Sequence, residues 1–311
     1  MMRGRRLFFA FSLMLLSAAA FTVPSAAEGG QAATHAKHVL PTATAPELNG
    51  PGSPDNAASR QKPRASNGIS YHGGPVIVTG TNVYVIWYGN WPSGNTTQPI
   101  LTSLLSSIGG SPYFNINTTY YNGSNVRVQN VVTYKTSTTD SYSQGTSLSD
   151  AGVLAVVNRA INGGLPNDPN GVYFVLTSGD VAETSGFLTQ YCGWHDNGTV
   201  NGHDVKFSFV GDASRNLGVC AEQTSSSPNG NPAADAMASV VAHELEEATT
   251  DPDLNAWFDT RGYENADKCA WTFGTTYTSN GALANMKLGT RDYLIQRNWV
   301  NASGGYCALS Y

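Results

Sequence analysis

The stretch "PAADAMASVVAHELEEATTDP", residues 232–252, carries the strongest helical signal in the chain, and the rest is read from it. Pro232 stands where a first helical turn tolerates proline, and Pro252 lies where a helix cannot continue. Met237, Val240, Val241, Leu245 and Ala248 mark the face that packs inward. His243 and Glu247 are four residues apart, so they leave one face of the helix a turn apart. An imidazole nitrogen and a carboxylate oxygen at that spacing can converge on one cation, and zinc accepts both donors.

The pattern begins like the His-Glu-x-x-His helix of zinc peptidases, but Glu247 stands where the second histidine would be. In that reading Glu244 takes the proton from a metal-bound water as it attacks a carbonyl carbon. The third ligand must come from beyond the helix. Asp253 has the spacing of a compact three-ligand motif but lacks the glycine turn. "YENADKC", residues 263–269, offers Glu264 as the expected ligand, with Asp267 as outer support of the site, orienting His243, or as an alternative ligand. His195, in "YCGWHDNG", reads as a surface histidine with a secondary role as an additional ligand or a substrate contact. The bland alternative is an acidic helix face, or an acid cluster that holds calcium.

Outward from this helix, strands and helices alternate. The runs on either side of Thr79-Gly80-Thr81-Asn82 read as paired strands, followed by a short amphipathic helix in "TTQPILTSLLSSIGG". "NVRVQNVVTYKTS" alternates like a strand, and "SLSDAGVLAVVNRAINGG" reads as a helix opened by Ser149 and closed by Gly163-Gly164. "GVYFVLTSGDV" is a continuous apolar run, as expected of a strand buried on both faces. Ser178 and Asp180 close that strand where α/β proteins place ligand contacts, yet no Gly-x-Ser-x-Gly elbow or phosphate-binding glycine loop is present. The expectation is an α/β fold: one domain over residues 69–311, a mixed β-sheet with packed helices, a zincin-like active-site helix and a loop-rich, disulfide-stapled C-terminal part.

Composition narrows the compartment and the partners. Arg3, Arg5 and Arg6 precede an apolar run from Leu7 to about Ala20, and Ser25-Ala26-Ala27 is an acceptable signal-peptidase site, so residues 1–27 read as a signal peptide. Residues 28–68, rich in Ala, Pro, Gly, Asn and Ser, read as a disordered linker or propeptide. Taking the three leader arginines from 17 basic residues leaves 14 against 22 acids, a net charge of −8. Such a chain is a poor partner for nucleic acid, and nothing after the leader is apolar enough for membrane insertion. Cys192, Cys220, Cys269 and Cys307 form an even set without Cys-x-x-Cys spacing, which suits two disulfides; 192–220 and 269–307 close the most local loops.

The segments "YHGGPV", "VYVIWYG", "GVYFVLTSGDV" and "CGWH", in that order, resemble the EXORDIUM or phosphate-induced protein family of plant cell walls. The resemblance covers most of the chain from about Ser70 onward. It implies a secreted protein of the extracellular space or cell envelope, linked with growth control and without a defined biochemical activity. The plant pattern lacks the His-Glu pair of "AHELEEATTDP", and this chain is more similar to a microbial branch that keeps it together with "ENADKC". The expected function is a secreted zinc-dependent hydrolase, a metallopeptidase acting on a peptide or cell-wall substrate. The alternative is a non-catalytic extracellular or wall-associated binding protein of the EXORDIUM type.

Overall fold

A computed structural model describes residues 36–39 and 68–311. The expected signal peptide and nearly all of the expected linker lie outside the described residues. Six strands form the main sheet: β1 (Ala36–Val39), β2 (Thr81–Tyr88), β3 (Val132–Asp140), β4 (Gly171–Thr177), β5 (Tyr191–Val200) and β6 (His203–Gly211). Their spatial order is β1-β5-β6-β4-β2-β3. Strands β3, β2, β4 and β6 are parallel, while β5 and β1 add antiparallel pairs at one edge. The sheet is therefore mixed. Strand β1 falls inside the segment read from composition as linker.

The period-two alternation of each strand divides the core in two. Val83, Val85 and Trp87 of β2, with Val172, Phe174 and Leu176 of β4, join the cluster built by α1 (Thr97–Ser107) and the long helix. Tyr84, Ile86, Tyr88, Tyr173 and Val175 point the other way, into the cluster of α2 (Asp150–Asn162). Every residue of β4 is buried, because helices cover both faces of it. Removing that much apolar surface, at about 1.5–3 kcal/mol per large aliphatic side chain, holds the layers together.

Local capping follows the sequence closely. Ser149 accepts a hydrogen bond from the Gly152 amide, and α2 stops at Gly163. At α1 the cap is displaced: Asn95 Oδ1, not a threonine, accepts from the Gln98 amide at 3.0 Å. The long helix, α3 (Pro232–Thr250), begins at Asn231, whose side chain accepts from the Ala234 amide.

The hairpin expected around Thr79–Asn82 does not form. Val76–Val78 belongs to no strand: the Ile77 amide donates to the Thr249 carbonyl, and the Val78 carbonyl accepts from the Gln129 amide. Strand β2 is claimed on both sides by parallel partners, so no edge remains for the preceding run. After α3 the chain makes short antiparallel ribbons, Tyr277–Ser279 with Ala282–Ala284, Met286–Leu288 with Arg291–Tyr293, and Asn298–Val300 with Tyr306–Ala308. No helix among the described residues is long and apolar enough to cross a membrane.

Two disulfides staple these parts, Cys192–Cys220 and Cys269–Cys307, as the loop-closure argument expected. They span 28 and 38 residues, so each restricts the unfolded chain by about 3–4 kcal/mol. Reduction, or paired Cys→Ser exchange at either bridge, is expected to lower unfolding free energy by that order in urea titrations; unchanged midpoints would contradict it.

Candidate metal centre

Helix α3 is buried along its whole length except for Pro232, although it carries four acidic side chains and a histidine. Such groups enter a core only with partners, because desolvating an unpaired charge costs several kcal/mol. Glu246 finds its partner in the C-terminal ribbon, where Asn298 Nδ2 donates to Oε2 at 2.6 Å. Its backbone carbonyl accepts from Asn265 Nδ2. Asp235 accepts from the backbone and side-chain amides of Asn229, which leaves Glu244 and Glu247 beside β5.

There His243 Nε2 lies 3.0 Å from Glu247 Oε1, the contact that four-residue spacing allows, and 3.5 Å from Asp267 Oδ1. Glu247 Oε1 also accepts from the Asp267 amide at 3.0 Å. From β5 comes His195, whose Nε2 is 3.3 and 3.2 Å from the two oxygens of Glu264 and 3.8 Å from Glu247 Oε2. Glu244, one residue along from His243, completes a group with His195 and Glu247. The geometry thus forms two sets that share Glu247: His243, Glu247 and Asp267 on one side, and His195, Glu244 and Glu247 on the other.

Three segments deliver these groups. Gly193 and His195 alternate with Trp194, which packs on the opposite face of the sheet. A Cβ on Gly193 would meet Val240 Cγ1 at 2.6 Å and Glu244 Oε1 at 3.2 Å, so the absent side chain lets α3 settle against β5. Glu264 and Asp267 sit on a loop tied down at several points. Asp259 accepts from the Arg261 and Tyr263 amides and pairs with Lys268 Nζ at 3.2 Å. Cys269 fastens the end of that loop to Cys307.

Enclosure governs the electrostatics. His195 and Glu244 are 0% exposed, His243 and Glu247 1%, and Glu264 2%. Burial pushes the His195 ring down to about 3, so it is neutral. Burial raises Glu247 to about 7 and lifts Glu244 and Glu264 well above the usual carboxylate range. For His243 burial disfavours the charge, but Glu247 and Asp267 outweigh it and hold the ring well above its ordinary value. Both oxygens of Glu244, Glu247 Oε2 and His195 Nδ1 are buried without a hydrogen-bond partner among the described residues.

His243, Glu247, Glu264 and Asp267 are gathered in one place. Asp253 is not: it lies past the helix end, with Oδ1 3.8 Å from Lys206 Nζ. His195 is no surface residue. Its segment reads as a loop because Asp196, Asn197 and Gly198 are turn formers, yet all three pair in register with β6. The two-residue spacing of Gly193 and His195 was the available signal. Trp87, Trp194 and Trp257 are core residues.

A separate cavity lies against the first half of α3, lined by Cys220, Glu222, Asp235, Ser239, Trp271 and Gln296, among others. Burial there raises Glu222 to about 7.

The architecture is an α/β protein whose mixed sheet is covered by helices on both faces, with a closed polar centre. Residues 69–293 match the family described as phosphate-induced protein 1 conserved region. The chain belongs to that family, which includes the EXORDIUM-like proteins. It is 30% identical over 280 residues to "Protein EXORDIUM-like 3" of Arabidopsis thaliana, covering 77% of this chain and 82% of the relative. With "Protein EXORDIUM-like 5" of the same plant it shares 28% identity over 278 residues, covering 74% and 75%. No solved structure matches the chain.

Two outcomes follow from this geometry. Gly193→Ala is expected to destabilise the protein by about 1–3 kcal/mol, because a new methyl must displace Val240 or the Phe209 carbonyl; an unchanged thermal melt would contradict the close approach. Glu222 holds its proton more tightly when folded than when unfolded. Its stabilising contribution is complete below about pH 4.5 and is lost as pH rises through about 7. Denaturant titrations across that range should show this loss, and Glu222→Gln should reduce it, leaving the part that belongs to Glu247 and the other buried carboxyls.

Proposed function

We propose that this chain is a non-catalytic extracellular or envelope-associated binding protein of the EXORDIUM type. The observation that carries the reading is the complete enclosure of Glu244. A base that activates water must meet both the water and the substrate carbonyl, and a catalytic ion keeps one coordination position open. Glu244 instead lies between α3 and Gly193 of β5. The two disulfides and the acidic composition suit an oxidising compartment outside the cell.

The face best placed for a ligand is the C-terminal edge of the parallel strands. Chain order steps from β2 to β3 on one side and returns to β4 on the other, leaving a switch point between β2 and β4. Asp180 projects there, its Oδ1 accepting from Ser178 Oγ at 2.6 Å and its Oδ2 from the Tyr142 hydroxyl at 2.5 Å. With the partly buried Trp91, edge-on to Trp87 and nearby in sequence to the end of β2, this edge pairs an aromatic ring with hydroxyl and carboxylate groups, a combination that suits a wall polysaccharide.

The competing reading is a secreted zinc peptidase in which His243, Glu247 and Glu264 hold the ion and Glu244 activates water. It draws on the order of these residues and on Asp267, whose side chain is 11% exposed. Purified mature protein should sediment with insoluble wall polymer and should release no peptide from casein or short synthetic substrates. Peptide turnover that Glu244→Gln abolishes without lowering the melting temperature would establish the peptidase instead.

A further inference from the structure

We propose that His195, Glu244, Glu247 and Glu264 together hold one divalent transition-metal ion of the zinc class, with Glu244 serving as a ligand and not as a base. The site stands whether or not the protein turns over a substrate. One donor atom from each of His195, Glu244 and Glu247 falls within a mutual 4.8 Å. Glu264, from the loop after the helix, places both oxygens within 3.3 Å of His195 Nε2. Two ligands bonded at about 2.0–2.1 Å to a tetrahedral ion lie about 3.3 Å apart, so that pair already has the edge length of a coordination shell.

The orphaned atoms point to the same spot. Glu244 Oε1, Glu244 Oε2 and Glu247 Oε2 are buried and lack hydrogen-bond partners among the described residues. Protonating Glu244 removes its charge but leaves a hydroxyl and a carbonyl oxygen unmatched in a dry interior. A cation satisfies these oxygens together and offsets the crowding of Glu244, Glu247 and Glu264. His243 takes a different part from the one its motif suggests. Its Nε2 faces Glu247 Oε1 and Asp267, so it orients Glu247 and leaves Oε2 toward His195.

The donor set selects the ion. An imidazole nitrogen with three carboxylates suits zinc and its first-row neighbours, whereas calcium takes oxygen donors throughout. Four protein ligands with no exposed position make a closed, structural site.

The test measures bound metal by mass spectrometry in the disulfide-intact mature chain and in its Glu244→Gln, His195→Gln and Asp267→Asn forms. The expected result is about one zinc per wild-type chain, a fall of about tenfold or more in Glu244→Gln and His195→Gln, and near-full content in Asp267→Asn. If the first two variants do not fold, chelator-stripped wild type is titrated with Co²⁺ and followed by visible absorption and thermal melting. Saturation at about one equivalent, with a melting temperature raised by about 10 °C, is expected. Wild-type protein that takes up neither zinc nor cobalt would overturn the site. Glu244→Gln protein that binds zinc like wild type would overturn the ligand assignment and return Glu244 to the role of a base.

Discussion

The structure depends on burying the acidic helix α3 against a sheet, with Glu244, Glu246 and Glu247 all in the interior. Apolar residues on the same helix, among them Val240, Val241 and Leu245, drive it into the core. The acids on its other faces must then be met by something. Much of the chain after Thr250 can be understood as supplying those partners. Asn298 serves Glu246, the Asp267 amide serves Glu247, and Glu264 approaches His195. The Cys269–Cys307 bridge and the Asp259–Lys268 pair hold that region in place. Loop and helix are therefore parts of one polar unit, not a helix with a covering.

What could be read in the sequence was whatever depends on local pattern. The caps of α2, the prolines that bound α3, the fully buried β4 and the family segments are set by residues near one another in the chain. The disulfide pairing also followed from chain proximity. The Val76–Val78 run was misjudged because a β-branched segment beside a glycine turn looks like half a hairpin. Which strand takes the edge is decided by parallel pairing at long range.

The centre shows the same division. His243 and Glu247 were legible because four residues make one helical turn, and their 3.0 Å contact has the geometry that spacing implies. His195 was not, since its approach depends on β5 extending through Asp196-Asn197-Gly198 to pair with β6. Local propensity opposes that strand, and tertiary pairing overrides it. Gly193 also carried its meaning only in three dimensions, as the space α3 needs. The sequence supplied a peptidase-like motif, but whether a glutamate faces water is a matter of packing.

Membership in the phosphate-induced protein 1 family places this fold among proteins named for EXORDIUM-like relatives in a plant. The central claim is that the His-Glu helix in this chain builds a closed interior centre around an ion. The most direct measurement is a crystal structure of the metal-loaded protein with anomalous data at the zinc edge. The account predicts one anomalous peak bounded by His195 Nε2, Glu244, Glu247 and Glu264, without a channel to solvent. A peak ligated by His243 and open to water, or no peak in zinc-soaked crystals, would contradict it.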